Sequence, residues 1–144
     1  MRYIAAALTL LCSSSFALAD GHADVEAGEK VFKKCQACHV VQSEDGTVLA
    51  GKNGKTGPNL FGLVGMQAGS VEGFRYKKSL VAAGEAGLIW TEELLVQWVQ
   101  DPSKFLKTYL EDSGARSSMS MKIRKEEDAI NVVGFLAQFS APEV

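Results

Sequence analysis

The feature that most constrains this chain is Cys35-Gln36-Ala37-Cys38-His39. Two cysteines three residues apart on one helical turn place both sulfurs on the same face. A histidine directly after the second cysteine makes this the pattern for covalent haem attachment. Each thiol can add across one vinyl group of the ring, giving two thioether bonds along one edge. The imidazole of His39 then sits close enough to the iron to be its proximal axial ligand. Two other chemistries share a bare CxxC. Zinc wants a second pair of ligands elsewhere, and the only other cysteine is Cys12. A thiol–disulfide redox site needs no more than the pair itself and stays open on the motif alone.

The first nineteen residues stand apart. Met1-Arg2 is a short basic start, Ile4 to Cys12 is apolar, and Ser13 to Ala19 is small and polar, ending Ala17-Leu18-Ala19. This predicts a secretory signal peptide over 1–19, cut before Asp20, and a mature domain over 20–144. A membrane anchor would need about twenty apolar residues, and the run is too short. Leu11 before Cys12 is too large for a lipoprotein signal, so Cys12 is expected to leave with the leader. Export into an oxidising compartment would oxidise two free neighbouring thiols, so a partner that consumes both makes sense. No other run is long enough to cross a membrane, and a soluble, periplasmic mature protein is expected.

With 144 residues, 47% hydrophobic and 22% charged, the chain has the size and balance of one globular domain. Asp24 is placed to cap a helix from about Val25 to Gln36, with Gly28, Val31, Phe32 and Cys35 on one side. Gly28 inside that helix costs about 1 kcal/mol against alanine, which suggests that another backbone approaches it. Val40 to Gly69 reads as loop, rich in turns and without a phosphate-binding pattern. Within it, Thr56-Gly57-Pro58-Asn59-Leu60 offers a proline carbonyl suited to accept from Nδ1–H of His39, although a plain turn is the simpler role for Pro58. A short helix is expected over Phe74 to Ala83. Thr91 caps another, with Leu94, Leu95, Trp98 and Val99 on one face. Asp101-Pro102 opens a further helix to Tyr109 or Leu110. The last runs from about Lys125 to Phe139, with Ile130, Val133, Leu136 and Ala137 as its apolar stripe. No strand-period run appears. The fold class is therefore all-α, about five short helices around one core, with Phe32, Trp90, Trp98, Phe105 and Phe135 available to pack on a haem or simply on one another.

Function turns on the sixth ligand. An open iron binds small molecules, whereas a second protein ligand confines it to electron exchange. His22 lies before the first helix and is a poor candidate. Methionine usually fills core gaps, but Met119 and Met121 lie in the polar loop from Ala115 to Lys122, which suits a ligand better than a core; Met66 is the remaining candidate. Methionine with histidine raises the reduction potential.

Gly28 and Phe32, the CxxCH run, Lys55 to Leu60, Gly87 to Glu93 with Trp90, Asp101-Pro102, and Met119 ahead of Lys125 together cover nearly all of the mature chain. In this combination the sequence resembles the class I cytochromes c, specifically the larger bacterial, cytochrome c2-like subtype. The resemblance implies that fold, one covalent haem c held through Cys35 and Cys38, and His39 and Met119 as axial ligands. It also implies that Trp90, and Tyr76 with it, hydrogen-bond a haem propionate, and that Gly28 and Phe32 cross Phe135. Two departures stand out. Met66 occupies the place of an arginine near the buried propionate, removing a charge-assisted bond. Trp98 replaces a tyrosine whose hydroxyl approaches the methionine sulfur. Both should tune the potential rather than change the class of function.

The net charge is −2, so no global positive field steers partners. Lys33, Lys34, Lys52, Lys55, Lys104, Lys107, Lys122, Arg124 and Lys125 are expected around the haem edge, either as a solvated mixed surface or as a ring that steers acidic proteins. Nucleic acid is an unsuitable partner for an exported acidic protein. The reading is a monomeric, non-enzymatic, one-electron carrier of the periplasm. The resemblance implies that it works between a cytochrome bc-type complex and a terminal oxidase or a photosynthetic reaction centre. The alternatives are a haem enzyme or small-ligand sensor with a labile sixth ligand, for which no distal acid–base pair is visible, and a haem-free dithiol protein.

Overall fold

A computed structural model describes residues 22–140. The expected signal peptide over 1–19, its expected cleavage before Asp20, and Cys12 lie outside the described residues. The elements run α1 (Val25–Phe32), β1 (Val40–Gln42), β2 (Val48–Gly51), α2 (Lys78–Glu85), α3 (Glu92–Gln100), α4 (Pro102–Tyr109) and α5 (Glu126–Ala137). Five helices thus carry the architecture, as the all-α reading holds.

Local side chains start three of them. Asp24 accepts from the Ala27 amide at 2.9 Å, Thr91 from Leu94 at 3.2 Å, and Asp101 from Lys104 at 3.1 Å, each satisfying an amide that the first turn leaves open. Pro102 at the start of α4 gives up an N–H that had no helical partner.

The central packing is the crossing of α1 on α5, with α3 also packed against α5. Gly28 makes the crossing close: a Cβ there would lie 2.6 Å from the Asn131 carbonyl carbon and 2.8 Å from Cβ of Phe135. Phe32 and Phe135 meet at 5.4 Å between ring centroids. Asn131, buried in the same seam, accepts from the Asp24 amide at 2.8 Å and ties α5 to the start of α1. α5 buries more than the stripe expected for it. Ala129, Asn131, Val132, Val133, Phe135 and Leu136 are all buried, because α1, α3 and the interior all reach the helix, whereas Ile130 is only half-buried.

Several element bounds differ from the sequence reading, and α5 ends at Ala137 rather than Phe139. α1 stops at Phe32 rather than Gln36, and the chain continues in tight turns. α2 begins at Lys78, not Phe74, and has no side-chain cap. The residues before it stay irregular, with Phe74 edge-on to Tyr76 at 4.8 Å, and Gly73 is left-handed at φ 74°. The helix runs past Ala83 because Gly84 fits directly against the Ala68 carbonyl, where a side chain would collide. Finally, the expected loop contains an antiparallel hairpin that pairs Val40 with Gly51 and Val41 with Ala50. Its strands of three and four residues are too short for an alternating pattern to show. The connecting turn is built on Asp45, which accepts from Ser43 Oγ at 2.5 Å and the Thr47 amide at 3.0 Å.

Candidate functional site

The turns after α1 present the CxxCH side chains. The amides of Cys35 and Gln36 donate to the Phe32 carbonyl at 2.8 and 3.2 Å, and those of Cys38 and His39 to the Cys35 carbonyl at 3.0 and 2.9 Å. The segment 54–60 is laced onto this turn. The Gly57 amide donates to the Cys38 carbonyl at 2.8 Å and that of Leu60 to Val40 at 2.9 Å. A Cβ on Gly54 would come within 2.7 Å of the Cys38 carbonyl carbon, and one on Gly57 within 2.6 Å of Nδ1 of His39. Glycine at these positions is therefore a condition of where the imidazole sits.

Nδ1 of His39 lies 2.8 Å from the Pro58 carbonyl oxygen. A carbonyl can only accept, so Nδ1 carries the proton and Nε2 keeps its lone pair. Burial lowers the pKa of His39, with the Pro58 bond opposing. The ring is thereby kept neutral, the form a metal ligand requires.

The surroundings of Cys35 differ from those of a redox dithiol. Burial, with Cys38 adding to it and Lys34 opposing, pushes the Cys35 thiol up to about 11. Thiol–disulfide centres depress a cysteine pKa to generate thiolate, so this environment counts against the dithiol reading. Among the described residues no cluster of three or more histidine, cysteine or acidic side chains is placed to hold a metal ion, and zinc has no support.

A cavity of about 330 Å³ opens beside the turn, and Cys35, Cys38, His39, Pro58, Tyr76, Trp90, Trp98 and Met119 all border it. Leu60, Leu63, Leu80, Leu95, Val99, Ile123 and Leu136 make much of the remaining wall apolar. Met66 and Met121 also reach it, but His22 does not. Of the aromatics expected to pack on a cofactor, only Trp90 and Trp98 line the cavity. Phe32 and Phe135 are taken up in the α1–α5 seam. Phe105 stands behind the tryptophans, 5.7 Å from Trp90 and 5.9 Å from Trp98, which are themselves 5.3 Å apart. Burial raises the Tyr76 phenol above its usual range.

Met119 is brought in by a loop pinned from outside. The Arg116 amide donates to Ser79 Oγ at 3.2 Å, that of Ser117 to Ser103 Oγ at 3.1 Å, and that of Met119 to Ser117 Oγ at 2.9 Å. The sequence reading missed these serines, as it did Gly57 against the ring. The Ser79 and Ser103 contacts join segments 37 and 14 residues apart and leave no local pattern, whereas Ser117 bonds only two residues along; Gly57 had only its neighbour Pro58 as a signal. Among the cations, Lys34, Lys77 and Arg116 border the cavity. Lys122 is engaged with Asp101 at 2.7 Å, and Lys125 with Glu127 at 2.8 Å.

The residues fit a covalently held haem. Two thiols, a neutral imidazole with its Nε2 free, and a thioether border one largely apolar cavity, whose volume lies in the range of roughly 300–1,000 Å³ usual for cofactor sites.

No protein-family model matches the chain. Individual relatives do. Cytochrome c2 of Rhodovulum adriaticum is 48% identical over 124 residues, covering 86% of this chain and 98% of the relative. Cytochrome c-550 of Paracoccus denitrificans is 44% identical over 137 residues, covering 94% of this chain and 84% of the relative. Among solved structures, cytochrome c2 from Rhodobacter sphaeroides superposes with a TM-score of 0.80 at 48% identity, over 83% of this chain and 99% of that one. Matched at this identity over nearly the whole of its relatives, and with the same fold, the chain belongs to the class I cytochromes c of the cytochrome c2 type, electron carriers that hold one covalent haem c.

Proposed function

We propose that this protein is a periplasmic one-electron carrier whose haem is bonded through Cys35 and Cys38 and ligated by His39 and Met119. The observation that carries the reading is the single cavity where both thiols, the free Nε2 of a proton-donating imidazole, and the Met119 thioether come together. When bound, the haem supplies one-electron chemistry through the ferric and ferrous states of its iron.

The chain's own part is to hold and to exclude. Pro58 fixes the His39 tautomer through its carbonyl and raises the basicity of Nε2. The apolar wall keeps water from the metal and, with a thioether ligand, favours the reduced state. Trp90 and Tyr76 are assigned to the propionates, and Trp98 to the methionine side of the cavity. Fixing both ligands on a packed core means that little must rearrange when an electron arrives or leaves.

Residues 1–19 are read as the export signal, and the mature protein as a monomer. No helix among the described residues is long and apolar enough to cross a membrane. The partners proposed are a cytochrome bc-type complex as donor and a terminal oxidase or photosynthetic reaction centre as acceptor. Brief docking through lysines at the haem edge would suit a carrier that must leave as readily as it arrives. Lys34 and Lys77, at the cavity mouth and in no ion pair among the described residues, are better placed for this than Lys122 and Lys125, which already face carboxylates.

Expression with haem-attachment machinery tests the reading. The intact mass should equal the chain from Asp20 plus one haem, and the haem should stay with the polypeptide under denaturing conditions. Replacing Cys35 and Cys38 by serine should abolish attachment. A wild-type protein that matures without haem would overturn the proposal.

A further inference from the structure

The loop that carries Met119 also brings a second thioether to the same cavity. Met121 borders it from the rim, 37% exposed, whereas Met119 is half-buried and packed on the core. The loop is pinned at one end by Ser79, Ser103 and Ser117, as described, and at the other by the Ile123 amide on the Val99 carbonyl at 2.8 Å. Between these points the segment is neither helix nor strand. The amides of Ser120, Met121 and Lys122 donate to no backbone carbonyl among the described residues.

We propose that Met121 is a reserve axial ligand: when the Met119 sulfur is removed, the Met121 side chain turns in from the rim and takes its place. This rests on the reading that Met119 is the native ligand. The donor is chemically the same, a soft neutral thioether. In an extended segment the two residues start no more than about 7 Å apart, and methionine's three rotatable bonds let the sulfur travel. Met121 has no core packing to lose, and no hydrogen bond from the amides of 120–122 to a described backbone carbonyl holds the segment beside it, although Lys122 next to it keeps its side-chain bond to Asp101. Met66, the third methionine at the cavity, lacks this freedom. Its amide donates to Leu63 at 3.1 Å and its carbonyl accepts from Trp90 at 2.9 Å. Exchange replaces one sulfur–iron bond by another, with no electron or proton gained or lost.

The test compares four haem-loaded proteins: wild type, Met119→Ala, Met121→Leu and the double variant. Carbon monoxide binding to the reduced forms is measured, together with the NMR signals of methyl-labelled methionine. A methyl lying over the ring face is shifted far upfield, which identifies a ligating methionine directly. Wild type and Met121→Leu should both show one such methyl and resist carbon monoxide. Met119→Ala should retain a shifted methyl, absent from the double variant. If the reserve ligand closes the site nine-tenths of the time, carbon monoxide should bind Met119→Ala about tenfold more weakly than the double variant. Equal affinity in those two, with no shifted methyl in either, would overturn the inference and leave Met119 as the native ligand. If Met121→Leu alone opened the site, both the inference and the assignment of Met119 would fall. Met119→Leu, which keeps the volume, serves the same comparison if Met119→Ala does not fold.

Discussion

Replacing Gly28 by alanine would place a methyl group inside the α1–α5 crossing. Its carbon would lie 2.6 Å from the Asn131 carbonyl carbon and 2.8 Å from Cβ of Phe135, inside ordinary carbon–carbon contact by close to 1 Å, taking that contact as about 3.5 Å. Neither neighbour is the free end of a side chain, so the helices themselves must separate. Overpacking of this kind costs typically 1–3 kcal/mol, and with main chain on one side the upper end applies. Against this, alanine gains about 1 kcal/mol over glycine in a helix. The net loss should be about 2 kcal/mol, lowering Tm by roughly 8 °C for a domain of this size. Thermal and denaturant unfolding of the haem-loaded protein, followed by far-ultraviolet circular dichroism, would measure it. Glu29→Ala, one residue along on the exposed side of α1, should stay within about 0.5 kcal/mol of wild type. A Gly28→Ala protein as stable as wild type, or more so, would refute the close crossing, since propensity would then be the only effect present.

Gly57→Ala should push the His39 imidazole off its bond to Pro58, because the new Cβ would lie 2.6 Å from Nδ1. The covalent haem should remain by mass while the reduction potential moves; a tenfold differential effect on the two oxidation states is about 59 mV, and an unchanged potential would show that the ring had not been displaced. Asp101 accepts from Lys122 Nζ and the Lys104 amide, and these bonds, that of Lys122 first, hold its carboxyl below the usual range. Its stabilising effect is complete above an unfolded value near about 3.9 and is lost as pH falls through the lower folded value. Wild type should therefore lose more stability than Asp101→Asn on acidification below about pH 4, and parallel curves would contradict this. Electron-transfer rates with an acidic partner protein should fall as salt rises. Lys34→Gln should slow them more than Lys125→Gln, whose ammonium already faces Glu127; equal effects would refute docking at the cavity mouth.

Much of this molecule could be read locally. Asp24, Thr91 and Asp101 announce helix starts because the amides they accept from are three residues away. Gly28 announces a close approach because nothing else justifies glycine in a helix. Features made by distant partners were harder. The hairpin's strands are too short to show a period. Ser79 meets the Arg116 amide 37 residues on, and Asp101 meets Lys122 across 21. No spacing rule connects such pairs before the chain is folded. Helix ends followed tertiary contacts as well: α2 extends to Glu85 because Gly84 seats on Ala68. At the site, chemistry narrowed the field where spacing did not. Two thiols and an imidazole in one turn have few joint uses. The polar loop sets Met119 and Met121 apart from Met66, and the choice between those two rests on the resemblance, since all three border the cavity.

The most direct test of the central claim, that His39 and Met119 together close the iron, is the visible spectrum of the haem-loaded protein, oxidised and reduced, before and after carbon monoxide. Two protein ligands predict sharp low-spin bands in both states and no response to the gas. A high-spin spectrum, or prompt carbon monoxide binding by the wild-type protein, would contradict the claim and mark the protein as a ligand-binding haem protein instead.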